Sequence, residues 1–346
     1  MSLNSEIFEQ PAVLSRLLTT GRKSIEHVVD TIRARDVDYI FLAARGTSDN
    51  AGRYASYLWG AFNHLPIALA TPSLFTYYDA PPRLRNALVM GISQSGQSPD
   101  IVSVVAEGRK QGALTLAVVN APDSPLANQA DLVVDVLAGV EAAVAATKTY
   151  TAELMAIAMM SCAMDEHHPE RWGELEKVPG WVAQALALDG EISRIAQRYR
   201  YMERCVVLGR GYNYATAFEW SLKLKELTYL VAEPYSSADF QHGPIAMVEQ
   251  GFPVLGVVPL GKVYSTLIEM LKALSEIQKA ELVIISDSPE ALDLAQSPLP
   301  LPLGIPEWLT PIVGIVIAQL FAYHLTQAKG LDTEKPRTIR KVTETH

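Results

Sequence analysis

The chain has 346 residues, 49% of them hydrophobic and 19% charged, with a formal net charge of −9. That length exceeds what one hydrophobic core usually supports, and the composition argues against extensive disorder, so two folded domains are expected. The acidic balance disfavours a nucleic-acid surface, which needs clustered Lys and Arg, but leaves a small anion open, because a helix start binds phosphate through backbone N–H groups.

The opening segment, Met1 to Arg16, carries Glu6 and Glu9 and lacks the basic start and apolar run of a signal peptide. Only Cys162 and Cys205 are present, too few and too far apart for a disulfide framework or a four-ligand zinc site. Both observations point to a reducing, cytoplasmic setting.

From there, short apolar runs ending in Gly, Ser or Asn alternate with longer helical patterns, as in a parallel sheet with crossover helices. Tyr39 to Ala44, Ala87 to Ile92, Ala113 to Val119 and Leu132 to Leu137 are the strand candidates of the first half. Cys205 to Leu208, Pro253 to Val258, Glu281 to Ile285 and, more weakly, Pro298 to Leu303 are those of the second. Arg45-Gly46 and Arg210-Gly211 each follow a strand, as do Gly96 and Gly261; 211 − 46 and 261 − 96 are both 165. One domain is therefore present twice. The polar stretch Met164 to Gly180, with His167, His168 and Pro169, reads as a linker or exposed helix between the copies. The domains are set at 1–165 and 186–330, with a linker at 166–185 and a tail at 331–346.

Ser93-Gln94-Ser95-Gly96-Gln97-Ser98-Pro99-Asp100 lies between a buried strand and an amphipathic helix. Ser98 suits an N-cap, Pro99 the first helical position and Asp100 the first turn, so three hydroxyls and an amide converge on the positive end of a helix. This is the pattern of a phosphate cradle. The second copy has Val258, Pro259 and Leu260 at the positions of Ser93, Gln94 and Ser95, which implies one phosphate site rather than two. The loop Arg45-Gly46-Thr47-Ser48-Asp49-Asn50 is placed to complete the cradle, or else is a turn with Ser48 or Asp49 as helix cap. A third loop, Glu141 to Lys148, has small residues that let a backbone approach a ligand.

In the second half, Glu219, Lys223 and Glu226 share one face of a helix. By spacing alone this is a solvated face held by ion pairs. The following Asp239-Phe240-Gln241-His242-Gly243-Pro244 fixes a turn that would present an imidazole, and a carboxylate with a histidine is a common acid–base set at neutral pH. The apolar stretch Leu309 to Leu325 contains Thr310, Pro311, Gln319 and His324 and is short for a bilayer span, so it reads as a buried helix. The tail from Gly330 is polar and either disordered or docked.

These motifs resemble the sugar isomerase (SIS) domain family over nearly the whole chain. Ser93-Gln94-Ser95-Gly96, Glu141 to Lys148, Leu208-Gly209-Arg210-Gly211, Glu219 to Glu226 with His242-Gly243-Pro244, and Lys335-Pro336-Arg337 to Lys341 look like the isomerase half of glucosamine-6-phosphate synthases. Ala44-Arg45-Gly46-Thr47-Ser48-Asp49 and Ser95 to Asp100 look also like the stand-alone SIS-type glucosamine-6-phosphate deaminases. In the synthases the position of Arg45 is usually Cys and that of Ala146 usually Ser. Because the first copy starts within about 40 residues of Met1, no glutaminase domain is expected. The resemblance implies two tandem SIS domains, each a parallel sheet flanked by helices in a flavodoxin-like three-layer sandwich.

It further implies that Ser48, Ser93, Gln94, Ser95 and Ser98 hold a 6-phosphate while Thr47, Val144 and Thr147 line the sugar. Glu226 would move a proton between C1 and C2, with Lys223 beside it. His242 would assist ring opening from the neighbouring subunit of a homodimer, and Lys341 would meet the open-chain carbonyl from an ordered tail. Conversion of glucosamine 6-phosphate to fructose 6-phosphate and ammonia is the expected reaction, with no metal, redox cofactor, nucleic acid or membrane involved. The alternatives are an aminotransferase-like isomerase lacking its glutaminase, a phosphosugar deglycase, and a non-catalytic sugar-phosphate sensor.

Overall fold

A computed structural model describes residues 2–341. The first copy supplies five strands, β1 (Tyr39–Ala43), β2 (Ile67–Leu69), β3 (Ala87–Ser93), β4 (Leu114–Val119) and β5 (Leu132–Asp135), in the all-parallel order β2-β1-β3-β4-β5. The second supplies β6 (Arg204–Gly209), β7 (Val231–Ser236), β8 (Pro253–Val257), β9 (Glu281–Ser286) and β10 (Ser297–Pro300), in the same order read from the other edge, β7-β6-β8-β9-β10. Both are parallel five-stranded sheets flanked by helices.

The interior strands are apolar without alternation because helices cover both faces. All seven residues of β3 and all six of β4 are buried. In the first copy Phe41, Val89, Ala117, Val104 and Leu126 share one core; in the second Val206, Val254, Leu282, Ile284 and Leu271 share another. The edge strands β2 and β7 escape the reading of the sequence for opposite physical reasons. Ile67–Leu69 has only three residues and is largely exposed, whereas Val231–Ser236 carries Glu233 and Pro234, which an edge strand tolerates.

Residues 2–8, 143–147 and 180–338 form one compact unit, and residues 9–142, 148–179 and 339–341 another, so the division does not fall at a single point in the chain. The stretch expected as linker or exposed helix holds the short helices Glu170–Leu175 and Val178–Leu186. The apolar stretch near the end is the helix Thr310–Ala328, and it is a core helix. Among the described residues it belongs to the one segment, Glu307–Ala328, apolar and long enough to cross a bilayer, yet 94% of that apolar window is buried within the fold. Cys162 and Cys205 are buried free thiols, and burial pushes the Cys162 thiol up to about 12.

Candidate active site

In a parallel sheet of order 2-1-3-4-5, the chain leaves β1 and β3 in opposite directions, which opens a crevice at their carboxyl ends. The two hydroxyl-bearing loops of the first copy follow β1 and β3 and therefore flank that switch point. The β3 loop carries Gly96 at φ +61, where a Cβ would fall 2.0 Å from Ser124 Oγ. Glycine is thus required by both backbone and space. Within the loop Ser93 Oγ accepts the Gly96 N–H at 3.0 Å and Ser95 Oγ accepts the Gln97 N–H at 3.3 Å. Neither hydroxyl donates to another group among the described residues, so each keeps a proton for a ligand. Gln94 is half-buried, and its carbonyl accepts from Asn120.

The helix Pro99–Lys110 begins where the sequence places it, with Ser98 at the N-cap and Pro99 first. The Ser98 side chain makes no capping hydrogen bond, so the first N–H groups of this helix lack the usual hydroxyl acceptor. The other loop departs from expectation. Its helix starts at Gly46 with Arg45 at the N-cap, so neither Ser48 nor Asp49 caps it. Ser48 is buried, and its hydroxyl donates to Glu153 Oε1 at 2.9 Å, a core carboxylate that the sequence alone does not single out. Thr47, one residue earlier, is half-buried.

The second copy shows what occupies the equivalent loop when hydroxyls are absent. At Gly261, the counterpart of Gly96, the carboxylate of Glu307 lies against the glycine and accepts the Lys262 N–H at 2.9 Å. Asp287 Oδ1 accepts the Leu260 N–H at 2.7 Å. The chain's own carboxylates fill this second loop.

On the helix Tyr214–Thr228, Glu219 and Lys223 are buried, and Lys223 Nζ lies 3.4 Å from Glu219 Oε1 and 2.5 Å from Glu226 Oε2. The solvated face expected from spacing is thereby corrected: only Glu226, with a quarter of its side chain exposed, reaches the surface. Burial works against the Lys223 charge, but Glu226 and Glu219 outweigh it and hold the ammonium above the usual lysine range. Lys223 is therefore a permanent cation behind a partly exposed carboxylate. His242 follows the short helix Ser237–Gln241, is exposed, and is succeeded by Gly243 at φ +131, so the turn presents the imidazole as its residues imply.

SIS domain family models match residues 35–163 and 199–327. The chain belongs to the SIS domain family. Its two SIS copies coincide with the two sheets and their crossover helices. The chain is 33% identical over 339 residues to glutamine–fructose-6-phosphate aminotransferase of Aquifex aeolicus, a match that spans 97% of this chain and 56% of that protein. The chain thus spans little more than half the length of the relatives it matches. Two solved structures cover nearly the whole of both chains. The C-terminal domain of glucosamine-fructose-6-phosphate aminotransferase from Francisella tularensis superposes with a TM-score of 0.87 at 28% identity, covering 96% of this chain and 98% of that one. A protein from Silicibacter pomeroyi DSS-3, provisionally described as a phosphosugar isomerase, gives 0.86 at 32% identity, covering 96% and 100%.

The remaining SIS-motif residues fall on two short segments. Val144 is half-buried and Thr147 buried, the Thr147 carbonyl accepting from Gln319 Nε2 at 3.4 Å. Lys148, next in sequence, starts the helix Lys148–Met164 and is buried against Glu9 at 2.5 Å. In the tail, Glu334 accepts the Leu3 N–H at 3.1 Å, and the Arg337 guanidinium stacks on Tyr229 at 3.8 Å. Lys341 Nζ lies 2.8 Å from Glu141 Oε2, a fully buried carboxylate. These contacts dock the described part of the tail.

Proposed function

We propose that this chain is an amino-sugar-phosphate isomerase that converts glucosamine 6-phosphate to fructose 6-phosphate and ammonia. The observation that carries the reading is the contrast between the two copies. In the second copy the equivalent loop receives the molecule's own carboxylates, while in the first it is lined by the Ser93 and Ser95 hydroxyls, which donate to no other group among the described residues, and leads into a helix whose N-cap hydroxyl makes no capping bond. A dianion is the complement of that arrangement.

In this reading Ser93, Gln94, Ser95 and Ser98 hold the 6-phosphate, with Ser48 joining if its hydroxyl turns from Glu153, and Thr47, Val144 and Thr147 line the sugar. His242, supplied by the partner copy of a cytoplasmic homodimer, assists ring opening. Glu226 then takes the proton from C2 and returns it to C1, which moves the double bond through an enolamine to a C2 imine. Water adds to that imine and ammonia leaves, giving the ketose. Lys223 pairs with Glu226 and Lys341 meets the carbonyl oxygen. Positioned proton transfer of this kind is typically worth about 10² to 10⁴ in rate.

A second reading, an isomerase of the aminotransferase type that uses nitrogen from elsewhere, is favoured by the match to Aquifex aeolicus aminotransferase over 97% of the chain. Incubating the protein with glucosamine 6-phosphate, and separately with fructose 6-phosphate plus ammonium or glutamine, while following ammonia and ketose, separates the two. Glu226→Gln is expected to lower turnover by at least about 10²-fold while glucosamine 6-phosphate still binds. Retained turnover removes Glu226 from its role.

A further inference from the structure

Asp100 is a carboxylate 1% exposed in the first turn of the helix Pro99–Lys110, the helix whose start faces the hydroxyl loop. Its Oδ1 accepts the Ile101 N–H at 2.9 Å. A negative charge fixed there satisfies the helix terminus and, by the same field, opposes any second anion placed at it. Arg45, at the end of the neighbouring β1 loop, crosses to this carboxylate and donates Nε to Asp100 Oδ2 at 2.8 Å. The Arg45 side chain is half exposed, and its other guanidinium N–H groups bond to nothing else among the described residues. On the helix Gly46–Asn63, which Arg45 precedes as N-cap, the nearest charged residues, Asp49 and Arg53, pair with each other at 3.0 Å.

We propose that Arg45 is the positioning residue that lets this loop accept a dianion: it cancels the Asp100 charge and ties the β1 loop to the β3 loop across the switch point. The inference rests on the phosphate reading above and adds to it the residue that sets the charge of the site. A plain structural brace would behave differently. If the pair only held two loops together, loss of either partner would weaken the ligand alike. If charge cancellation is the role, the two losses act in opposite directions, because Arg45→Met bares the carboxylate and Asp100→Asn leaves the cation unopposed.

The test is titration calorimetry of glucosamine 6-phosphate, with unphosphorylated glucosamine as control, on the full chain and the variants R45M, R45K, D100N and R45M/D100N. R45M is expected to raise Kd at least about tenfold, R45K to restore part of the loss, D100N to bind as tightly as the parent or tighter, and R45M/D100N to recover most of what R45M loses. Thermal melts of each variant confirm that it is folded at the temperature of titration, and R45K supplies the comparison should R45M unfold. Equal losses in R45M and D100N, or a double variant no better than R45M, overturn the proposal. If the parent chain binds no glucosamine 6-phosphate, the phosphate reading itself fails; if the parent binds and R45M binds as well, only the role of Arg45 does.

Discussion

Replacing Lys223 by Met removes the cation from a buried triad: Glu219, whose side chain is 0% exposed, loses the ammonium 3.4 Å away, and Glu226 loses its partner at 2.5 Å. Breaking a buried ion pair from one side costs about 3–5 kcal/mol, because the remaining buried charge loses its counter-ion. In a protein whose domains have this size each kcal/mol moves the melting midpoint by about 2–4 °C, so a fall of about 6–20 °C is expected at neutral pH. The sign of the pH dependence follows from the acid that has lost its cation. A buried carboxylate without a cation prefers its neutral form, so its folded pKa rises above the unfolded value of about 4.3. The folded variant then binds a proton more readily than the unfolded one, and lowering the pH returns stability. Circular-dichroism melts of the parent, Lys223→Met and Lys223→Met/Glu219→Gln at pH 7.5 and 5.5 should show the deficit shrinking at the lower pH and in the double variant. A Lys223→Met midpoint within about a degree of the parent, or a deficit indifferent to pH and to Glu219, would refute the electrostatic account.

The double variant Ser93→Ala/Ser95→Ala should raise KM for glucosamine 6-phosphate more than about tenfold, since each hydroxyl bond to a charged group is worth about 1.5–3 kcal/mol; an unchanged KM would count against the cradle. In the second copy, calorimetry with inorganic phosphate should give one site per parent chain, and Glu307→Ala should add a weaker second one by baring the Lys262 N–H. If Glu307→Ala still binds a single phosphate, the carboxylate is not standing in for an anion.

The fold was legible because parallel strands covered on both faces are continuous apolar runs and because the glycines at 46, 96, 211 and 261 carry a single offset. The edge strands were not, since they are short, exposed or carry proline. The β3 loop was legible for a related reason: N-cap, Pro and first-turn acid are local signals, and the helix Pro99–Lys110 obeys them. What the sequence could not show were pairings across the fold. Nothing near Ser48 in the chain announces Glu153, 105 residues away, and nothing near Lys341 announces Glu141, 200 residues away. The helix face of Glu219, Lys223 and Glu226 was misleading because periodicity states which residues share a side, and the charges suggested that this side was wet.

That misreading bears on function. At the 165-residue offset, Glu219 and Lys223 correspond to Tyr54 and Leu58 of the first copy, both 0% exposed. The same fold therefore accepts uncharged side chains at these two positions on the equivalent helix, Gly46–Asn63. Replacing a buried ion pair by apolar residues of similar volume is often neutral or stabilising, so stability alone gives the second copy no reason to bury a carboxylate and an ammonium where the first buries a phenol and a leucine. A group that uses the pair is the better explanation, and Glu226 is the one that touches Lys223 and still reaches solvent. The two copies have thus diverged in complementary ways. The first keeps hydroxyls open at its switch point; the second closes that point with Glu307 and Asp287 and instead buries charge behind one partly exposed carboxylate. Under the proposed function, the two changes together make Glu226 the residue on which turnover is expected to depend.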